Sequence, residues 1–448
     1  MIAEMILRKR WLRSDDIWTR SFVYKSFLRH IPLFLDTYAL MKSQYWPRER
    51  LARLQERRLH ELFRDAQRVS FWKDMFLAAE VTDTMSAREV LARLPITSKK
   101  ELNEAAEEDI QDASLIGKSD ADHTSGSTGK PFHFYQDRHA TMRSWAITER
   151  TFRTVAAGKR LPIVYMRRKE RHGFTFYKHV WFYLDGFTAI RSRMEDFKRL
   201  GELLSDGFIL YGYTSWVVEL AQLMEAWGMK LPIKAVVVAG EHLNPADHEY
   251  IERIMDARLS ELYASREVGF LGYECEEHRL HINEEWALIE IVDEEGVTLP
   301  PGKEGRIAVT ALDNRVMPFI RYDIGDIGVI SDTPCACGRT LRTLSFKGRV
   351  AELIELDEDH TVTLLDIAYG LGTYRDAIRQ YQIVQTGKLA FTFRIISGPL
   401  FEEKKETLEK LMKRLLHPDA QIRWEMVDEI PQAKSGKALY FIRDIAKR

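Results

Sequence analysis

Ile233-Lys-Ala-Val-Val-Val-Ala-Gly-Glu241 is a near-continuous apolar run, rich in β-branched residues, that stops at a glycine and a carboxylate. A helical stretch over 245–257 follows, and then Leu259-Ser-Glu-Leu-Tyr-Ala-Ser-Arg-Glu-Val-Gly269. A strand without alternation is buried on both faces. Strand, turn, helix and strand at this spacing predict parallel strands covered by helices. Earlier apolar runs at 161–165 and 207–213, the second leading into a helix over 215–227, extend the same pattern. Ligands of such sheets sit beyond the carboxyl ends of the strands, so Gly240-Glu241 and the segment from Tyr263 to Gly269 are the first candidates for a site.

Outward from this centre the pattern changes. Residues 1–110 read mostly as helix, with Leu51, Leu54, Leu59, Leu62 and Phe63 spaced for one apolar face. Thr97 is placed to cap a helix that carries Glu101 in its first turn. A strand is expected at 132–135 and a helix from His139. From 286 to 330 the chain reads as hairpin strands at 286–292, 305–310 and 318–330. After Gly348-Arg349 a small α+β unit is expected, with strands near 352–356, 379–385, 389–396 and 421–427 and a charged helix at 401–415. The expected fold class is therefore α/β: a large N-terminal domain of parallel-sheet α/β layers plus a β-rich subdomain, and a small α+β C-terminal domain.

Length and charge narrow the function. The chain has 448 residues, 45% hydrophobic and 30% charged, with a net charge of −1. That balance fits a globular protein with a large core and argues against a general nucleic-acid binder. Residues 1–70 carry fifteen Lys and Arg against eight Asp and Glu, starting with Arg8-Lys9-Arg10. Such an end is either a weak attraction to an acidic membrane or partner, or a solvated basic helix face. The most apolar stretch, 31–41, is broken by Pro32 and Asp36 and falls short of the ~20 residues a membrane span needs. No signal peptide is legible, and three cysteines make no disulfide framework, so a cytoplasmic enzyme is expected.

His123-Thr-Ser-Gly-Ser-Thr-Gly-Lys-Pro131 is a small-residue loop with hydroxyls between its glycines and a lysine at its end. Such a loop brings backbone N–H groups and hydroxyls close to phosphate oxygens, because glycine has no Cβ to block the approach. The common P-loop is excluded: only Ser127 and Thr128 separate Gly126 from Gly129, and Pro131 stands where Ser or Thr would hold magnesium.

Five segments line up along the chain: T-S-G-S-T-G-K-P at 124–131, Y-A-S-R-E-V-G at 263–269, R-Y-D-I-G-D at 321–326, K-G-R at 347–349 and P-Q-A-K-S-G-K at 431–437. In this order they resemble the adenylate-forming superfamily of acyl-CoA synthetases and nonribosomal adenylation domains. The nearest resemblance is to the phenylacetate–CoA ligase branch and its CapK-type relatives, and it runs from about residue 50 to the end. Leu94-Pro-Ile-Thr-Ser-Lys99 also resembles the opening of that branch. The resemblance implies a large adenylation domain over 1–349 and a small mobile C-terminal domain over 350–448. It also implies ATP and magnesium as cofactors, a small carboxylic acid as substrate and coenzyme A as acceptor; a dimer is compatible with it.

Residue roles carry over by position. Ser125, Gly126, Ser127, Thr128, Gly129 and Lys130 would hold the leaving phosphates. Gly240, Glu241, Tyr263, Ala264 and Ser265 would border the nucleotide, with Tyr263 against adenine, and Glu267 would hold magnesium. Asp326 would accept from the ribose hydroxyls with Arg349 assisting, and Lys437 would reach the reacting oxygens as a mobile charge.

All three cysteines enter a second candidate site. Cys335-Ala-Cys337 is a C-x-C turn, and Cys275 lies upstream beside His278 and His281. Thiolates with an imidazole are the ligand set of tetrahedral zinc, structural when four protein ligands close it. The family resemblance favours His281 as the fourth ligand, with His278 the alternative. Two departures bear on function. The usual Tyr-Gly-x-Thr-Glu reads Tyr263-Ala-Ser-Arg-Glu267, and the hinge after Gly-Arg reads Val350-Ala351-Glu352. Adenylation with another acceptor (an amine or a sugar), adenylation of a hydroxyl, and an idle nucleotide-binding scaffold are therefore the competing expectations.

Overall fold

Ile233–Ala239 forms a strand in which every residue but Lys234 is buried, as its unbroken apolar run requires. The structure is a computed structural model that describes residues 31–124, 132–167, 173–177, 181–185, 194–241, 243–356, 361–431 and 438–445. The strand pairs in parallel with Phe208–Gly212 on one side and Arg258–Ser265 on the other, with Val238 opposite Gly212 and Ala239 opposite Leu262. Ile163–Arg167 and Trp181–Asp185 continue the parallel order, and Gly173–Tyr177 closes that edge antiparallel.

Alternate residues feed two different layers. Leu210, Val236 and Val238 pack under the helices Met194–Leu203, Thr214–Trp227 and Pro245–Met255, through Phe197, Leu200, Trp216, Leu220 and Ile251. Ile209, Ala235 and Val237 pack on the opposite face against Phe152 and Val155 of the helix Arg138–Val155. Local chemistry sets the helix ends. Asn244 accepts from the Asp247 N–H and Pro245 occupies the first turn, while Gly228 ends Thr214–Trp227 at φ +60°, a left-handed stop favourable to glycine.

At Arg258–Ser265 the sheet changes from parallel to antiparallel. It continues through Gly269–Glu274, Leu280–Ile282, Thr343–Arg349, Tyr322–Ser331, Glu304–Ala311 and Ala287–Val292. The β-rich part is thus hydrogen-bonded into the same sheet. Its core gathers Ile289, Ile307, Val309 and Phe319 around Phe132 and Phe134. Buried charge locks the N-terminal helices onto this half. Arg150, fully buried, donates to Glu285 at 2.8 Å and to Asn283, and Arg58 donates to Asp313 at 2.7 Å. Truncating either partner of such a buried pair would strand the other charge.

Arg349 ends the last strand of the large sheet, and a short 3-10 turn, Val350–Glu352, follows. Beyond it lies a small α+β unit: a hairpin of Leu353–Glu355 and Thr361–Thr363, the helix Leu364–Gly372, and a four-stranded sheet ordered Gln421–Met426, Ala390–Ser397, Ile378–Gly387, Phe441–Arg443. Helix Phe401–Leu415 covers it through Leu408 and Met412, which meet Phe391, Phe393 and Ile395. Acidic residues in its first turn and basic ones in its last suit the helix dipole.

One local expectation changes. Ser98, not Thr97, caps the helix Lys99–Glu104, in a capping box with Glu101. Thr97 instead pairs with Tyr322 as a short parallel strand and donates its N–H to Arg321 O at 3.0 Å. No helix among the described residues is long and apolar enough to cross a membrane.

Candidate active site

The carboxyl ends of the parallel strands lie along one edge, and the residues singled out there converge. Asp326 and Arg349 stand directly opposite each other across two antiparallel strands. Register alone therefore brings the guanidinium to the carboxylate, and Arg349 Nε donates to Asp326 Oδ1 at 3.1 Å. The Tyr263 hydroxyl donates to Asp326 Oδ2 at 2.7 Å from the end of Arg258–Ser265. Burial pushes the Tyr263 hydroxyl well above its ordinary value, and the Asp326 charge adds to this. Burial also raises the Asp326 carboxyl, against the pull of Arg349. Desolvation works against the Arg349 charge, but Asp326 and Glu352 overcome it and its pKa rises. The trio is held with its polar groups mutually satisfied, so a ligand hydroxyl meets an oriented carboxylate.

Glu267 lies on the turn after Tyr263. Its backbone oxygen accepts from Gln136 Nε2 at 3.0 Å, and its Oε1 accepts from the Tyr322 hydroxyl at 3.2 Å. The same turn is braced by Ser265 Oγ accepting from Val268 N–H and by Arg266 donating to Asp122 at 2.8 Å. Asp122 belongs to the hairpin Ser119–His123 and His133–Asp137, whose ends flank the glycine loop. At the base of that loop Thr124 N–H donates to Phe132 O at 2.9 Å, and Lys99 Nζ donates to Thr124 Oγ1 at 2.9 Å.

The loop residues Ser125, Gly126, Ser127, Thr128, Gly129 and Lys130 lie outside the described residues, as does Lys437. So does the basic stretch Arg8-Lys9-Arg10, and the side chains over 167–193 are likewise not described. Gly240 takes φ +80°, a left-handed turn that lets the chain leave the sheet immediately after the strand. Glu241 accepts from Ser215 N–H at 2.8 Å and from Ala438 N–H at 2.6 Å. One carboxylate thus holds a helix N-terminus and the C-terminal segment together. Ala438, the residue after Lys437, is thereby tied to the strand-end edge.

Next to this edge stands an aromatic wall. Tyr165 and Tyr211 stack at 4.6 Å, and Tyr213 meets Trp216 edge-on at 4.8 Å. Burial pushes the Tyr213 hydroxyl up to about 12, with Tyr165 and Glu241 adding to the shift and Arg266 opposing it. Sequence reasoning quoted Lys99 and Tyr322 inside motifs without giving them a task. Their contacts cross more than twenty residues of chain and are legible only in three dimensions.

Cys275, His281, Cys335 and Cys337 converge, each offering a ligand atom within 4.8 Å of the others. Cys275 Sγ lies 3.6 Å from Cys335 Sγ, and Cys337 Sγ lies 3.2 Å from His281 Nε2. Donors around tetrahedral zinc at Zn–S of about 2.3 Å stand about 3.5–3.8 Å apart, so the spacing fits. The electrostatics fit as well. Burial holds His281 down at about 4 and hence neutral, and its Nδ1 donates to Leu341 O at 2.8 Å, which turns the Nε2 lone pair toward Cys337. His278 is not part of this group.

Comparison with known proteins agrees with this arrangement. Residues 355–444 match the CapK C-terminal domain family. Over 325 residues the chain is 27% identical to the phenylacetate–coenzyme A ligase of Thermus thermophilus, covering 69% of this chain and 72% of that protein. The chain is thus similar in sequence to a phenylacetate–coenzyme A ligase, and its last ninety residues to the CapK C-terminal domain. Its fold is that of a superfamily ligase with a C-terminal domain. A crystal structure of 2-hydroxyisobutyryl-CoA ligase in the postadenylation state superposes with a TM-score of 0.73 at 17% identity, over 90% of this chain and 93% of that one. The same ligase in the thioesterification state, with 2-HIB-AMP and CoA, gives 0.58 over the same coverage. The placement of the small C-terminal unit is thus nearer the first arrangement.

Proposed function

We propose that the protein is an ATP-dependent, AMP-forming ligase that activates an aryl or arylacetic acid as its acyl adenylate and passes the acyl group to coenzyme A. One observation carries it. Tyr263, Glu267, Asp326 and Arg349 meet at one strand-end edge, and Glu241 of that edge holds the residue after Lys437. The names of the relatives, a phenylacetate–CoA ligase and a 2-hydroxyisobutyryl-CoA ligase, support an acid–CoA ligase. The stacked Tyr165 and Tyr211 favour a flat acid beside the nucleotide.

In the first half-reaction a carboxylate oxygen attacks the α-phosphorus of ATP, and the bond to the bridging oxygen breaks with release of pyrophosphate. Charge builds on the phosphoryl oxygens, so positioning and electrostatic stabilisation dominate catalysis. Asp326 accepts from the ribose hydroxyls while Arg349 and Tyr263 fix its orientation. The loop from Ser125 to Lys130, closed at its base by Thr124 and Lys99, receives the leaving phosphates. Lys437 neutralises charge on the reacting oxygens. In the second half-reaction the coenzyme A sulfur attacks the acyl carbon and AMP leaves. Magnesium, when bound, offsets phosphate charge, and Glu267 is a hard oxygen ligand suited to hold it. Zinc at Cys275, His281, Cys335 and Cys337 is structural, because four protein ligands leave no open position.

Asp326→Asn keeps the side-chain shape and removes the charge. Charged hydrogen bonds contribute about 1.5–3 kcal/mol, so KM for ATP is expected to rise about 10- to 100-fold in an ATP–pyrophosphate exchange assay. The same assay, run on the unaltered protein with a panel of acids, tests the proposal. Exchange that depends on an aryl or arylacetic acid is expected. ATP binding without exchange for any acid would point to hydroxyl adenylation or to a scaffold.

A further inference from the structure

A second cluster of metal-ligating side chains stands apart from the thiolates: His248, Glu274 and His278, whose ligand atoms all lie within 4.8 Å of one another. Different elements present them. His248 sits on the helix Pro245–Met255, Glu274 ends the strand Gly269–Glu274, and His278 lies on the turn that follows.

Glu274 is held in place from behind. Its Oε2 accepts from Glu261 N–H at 2.8 Å, which turns Oε1 toward both imidazoles. His278 Nδ1 lies 3.0 Å from that Oε1 and His248 Nε2 lies 3.9 Å from it. The second distance is too long for a hydrogen bond, and His248 Nε2 is buried without any hydrogen-bond partner. A buried nitrogen left so is costly and calls for an explanation. On the other side of the ring, His248 Nδ1 faces Glu252 Oε2 at 3.7 Å, the arrangement in which a carboxylate behind an imidazole orients it toward a cation.

His278 adds a backbone observation. Its φ is +52°, a left-handed conformation uncommon outside glycine and found most often at functional positions. The turn is pinned by backbone bonds, Cys275 N–H donating to Arg279 O and His278 N–H donating to Cys275 O, so the backbone itself holds the loop that delivers this imidazole. Donors around a four-coordinate cation at about 2.0–2.1 Å stand about 3.3 Å apart, close to the 3.0 and 3.9 Å found here.

We propose that His248, Glu274 and His278 bind a divalent transition-metal ion of borderline softness, such as Zn²⁺, as a site separate from the thiolate cluster. Two neutral imidazoles and one carboxylate are the ligand set of an open site, with a coordination position left for water or a ligand oxygen. Glu274 and His278 also line a cavity of about 380 Å³, together with Glu261, Phe346, Leu365 and Tyr369. Leu365 and Tyr369 belong to the helix Leu364–Gly372, so the C-terminal unit forms one wall of this cavity.

The test is a Zn²⁺ titration of the full chain in metal-free buffer, with bound metal counted per chain by mass spectrometry after desalting. The unaltered protein is expected to hold two equivalents. His248→Gln and Glu274→Gln are expected to hold one, while Cys337→Ser keeps this second site. His278→Asn removes an imidazole at a half-exposed position while tolerating the left-handed backbone, so it serves if the buried variants fail to fold; it too is expected to lose one equivalent. Equal metal content in all of these proteins, or a second equivalent that washes out on desalting, would overturn the proposal.

Discussion

Lys437→Ala is expected to lower ATP–pyrophosphate exchange by about 10²- to 10³-fold, the loss typical of removing one preorganised group that meets developing charge. Thioester formation from a supplied acyl adenylate should stay close to that of the unaltered protein. The asymmetry follows from where charge develops. Only the first half-reaction gathers negative charge on phosphoryl and carboxylate oxygens, and only there does a long-stemmed ammonium help. Ala438, the residue after Lys437, donates its N–H to Glu241 at the strand-end edge. Equal losses in both half-reactions would mean that Lys437 acts on folding or on domain placement rather than on the phosphoryl step.

The second large effect is on stability. Cys337→Ser is expected to cost about 3–5 kcal/mol and to lower Tm by roughly 3–7 °C, with loss of one zinc per chain. The cluster joins the turn after Gly269–Glu274 to the C-x-C turn, two segments separated by 60 residues. Without the metal, burial would leave Cys275 a protonated thiol, pushed up to about 12, packed against Cys335. A bound ion would therefore replace three weak hydrogen-bonding groups and one neutral imidazole by strong bonds that close a long loop. An unchanged melting curve together with unchanged metal content would remove zinc from the account.

Much of this was legible in the chain. Ile233–Ala239 reads as a buried parallel strand because no polar residue but Lys234 interrupts it, and the structure keeps those bounds. The helices expected over 245–257 and 401–415 are found as Pro245–Met255 and Phe401–Leu415. Gly269–Glu274, Leu280–Ile282 and Thr343–Arg349 carried no comparable signal. They are short, polar in places, and exist because partners distant in sequence supply their hydrogen bonds. The same holds for the site. Asp326 and Arg349 could be named from motifs, but their facing register, and the Tyr263 hydroxyl on Asp326, come from strand pairing. The family resemblance favoured His281 over His278 among the thiolates, and the structure adds that the turn places the other imidazole beside Glu274.

The most direct measurement is a single-pot reaction of the full chain with ATP, magnesium, coenzyme A and each of a panel of aryl and arylacetic acids, with AMP, ADP and thioester quantified together. An AMP-forming acid–CoA ligase must yield AMP and thioester in equal amounts, both dependent on one acid and on coenzyme A. AMP without thioester would move the acyl group to another acceptor. ADP as the product, or no nucleotide turnover with any acid, would contradict the account.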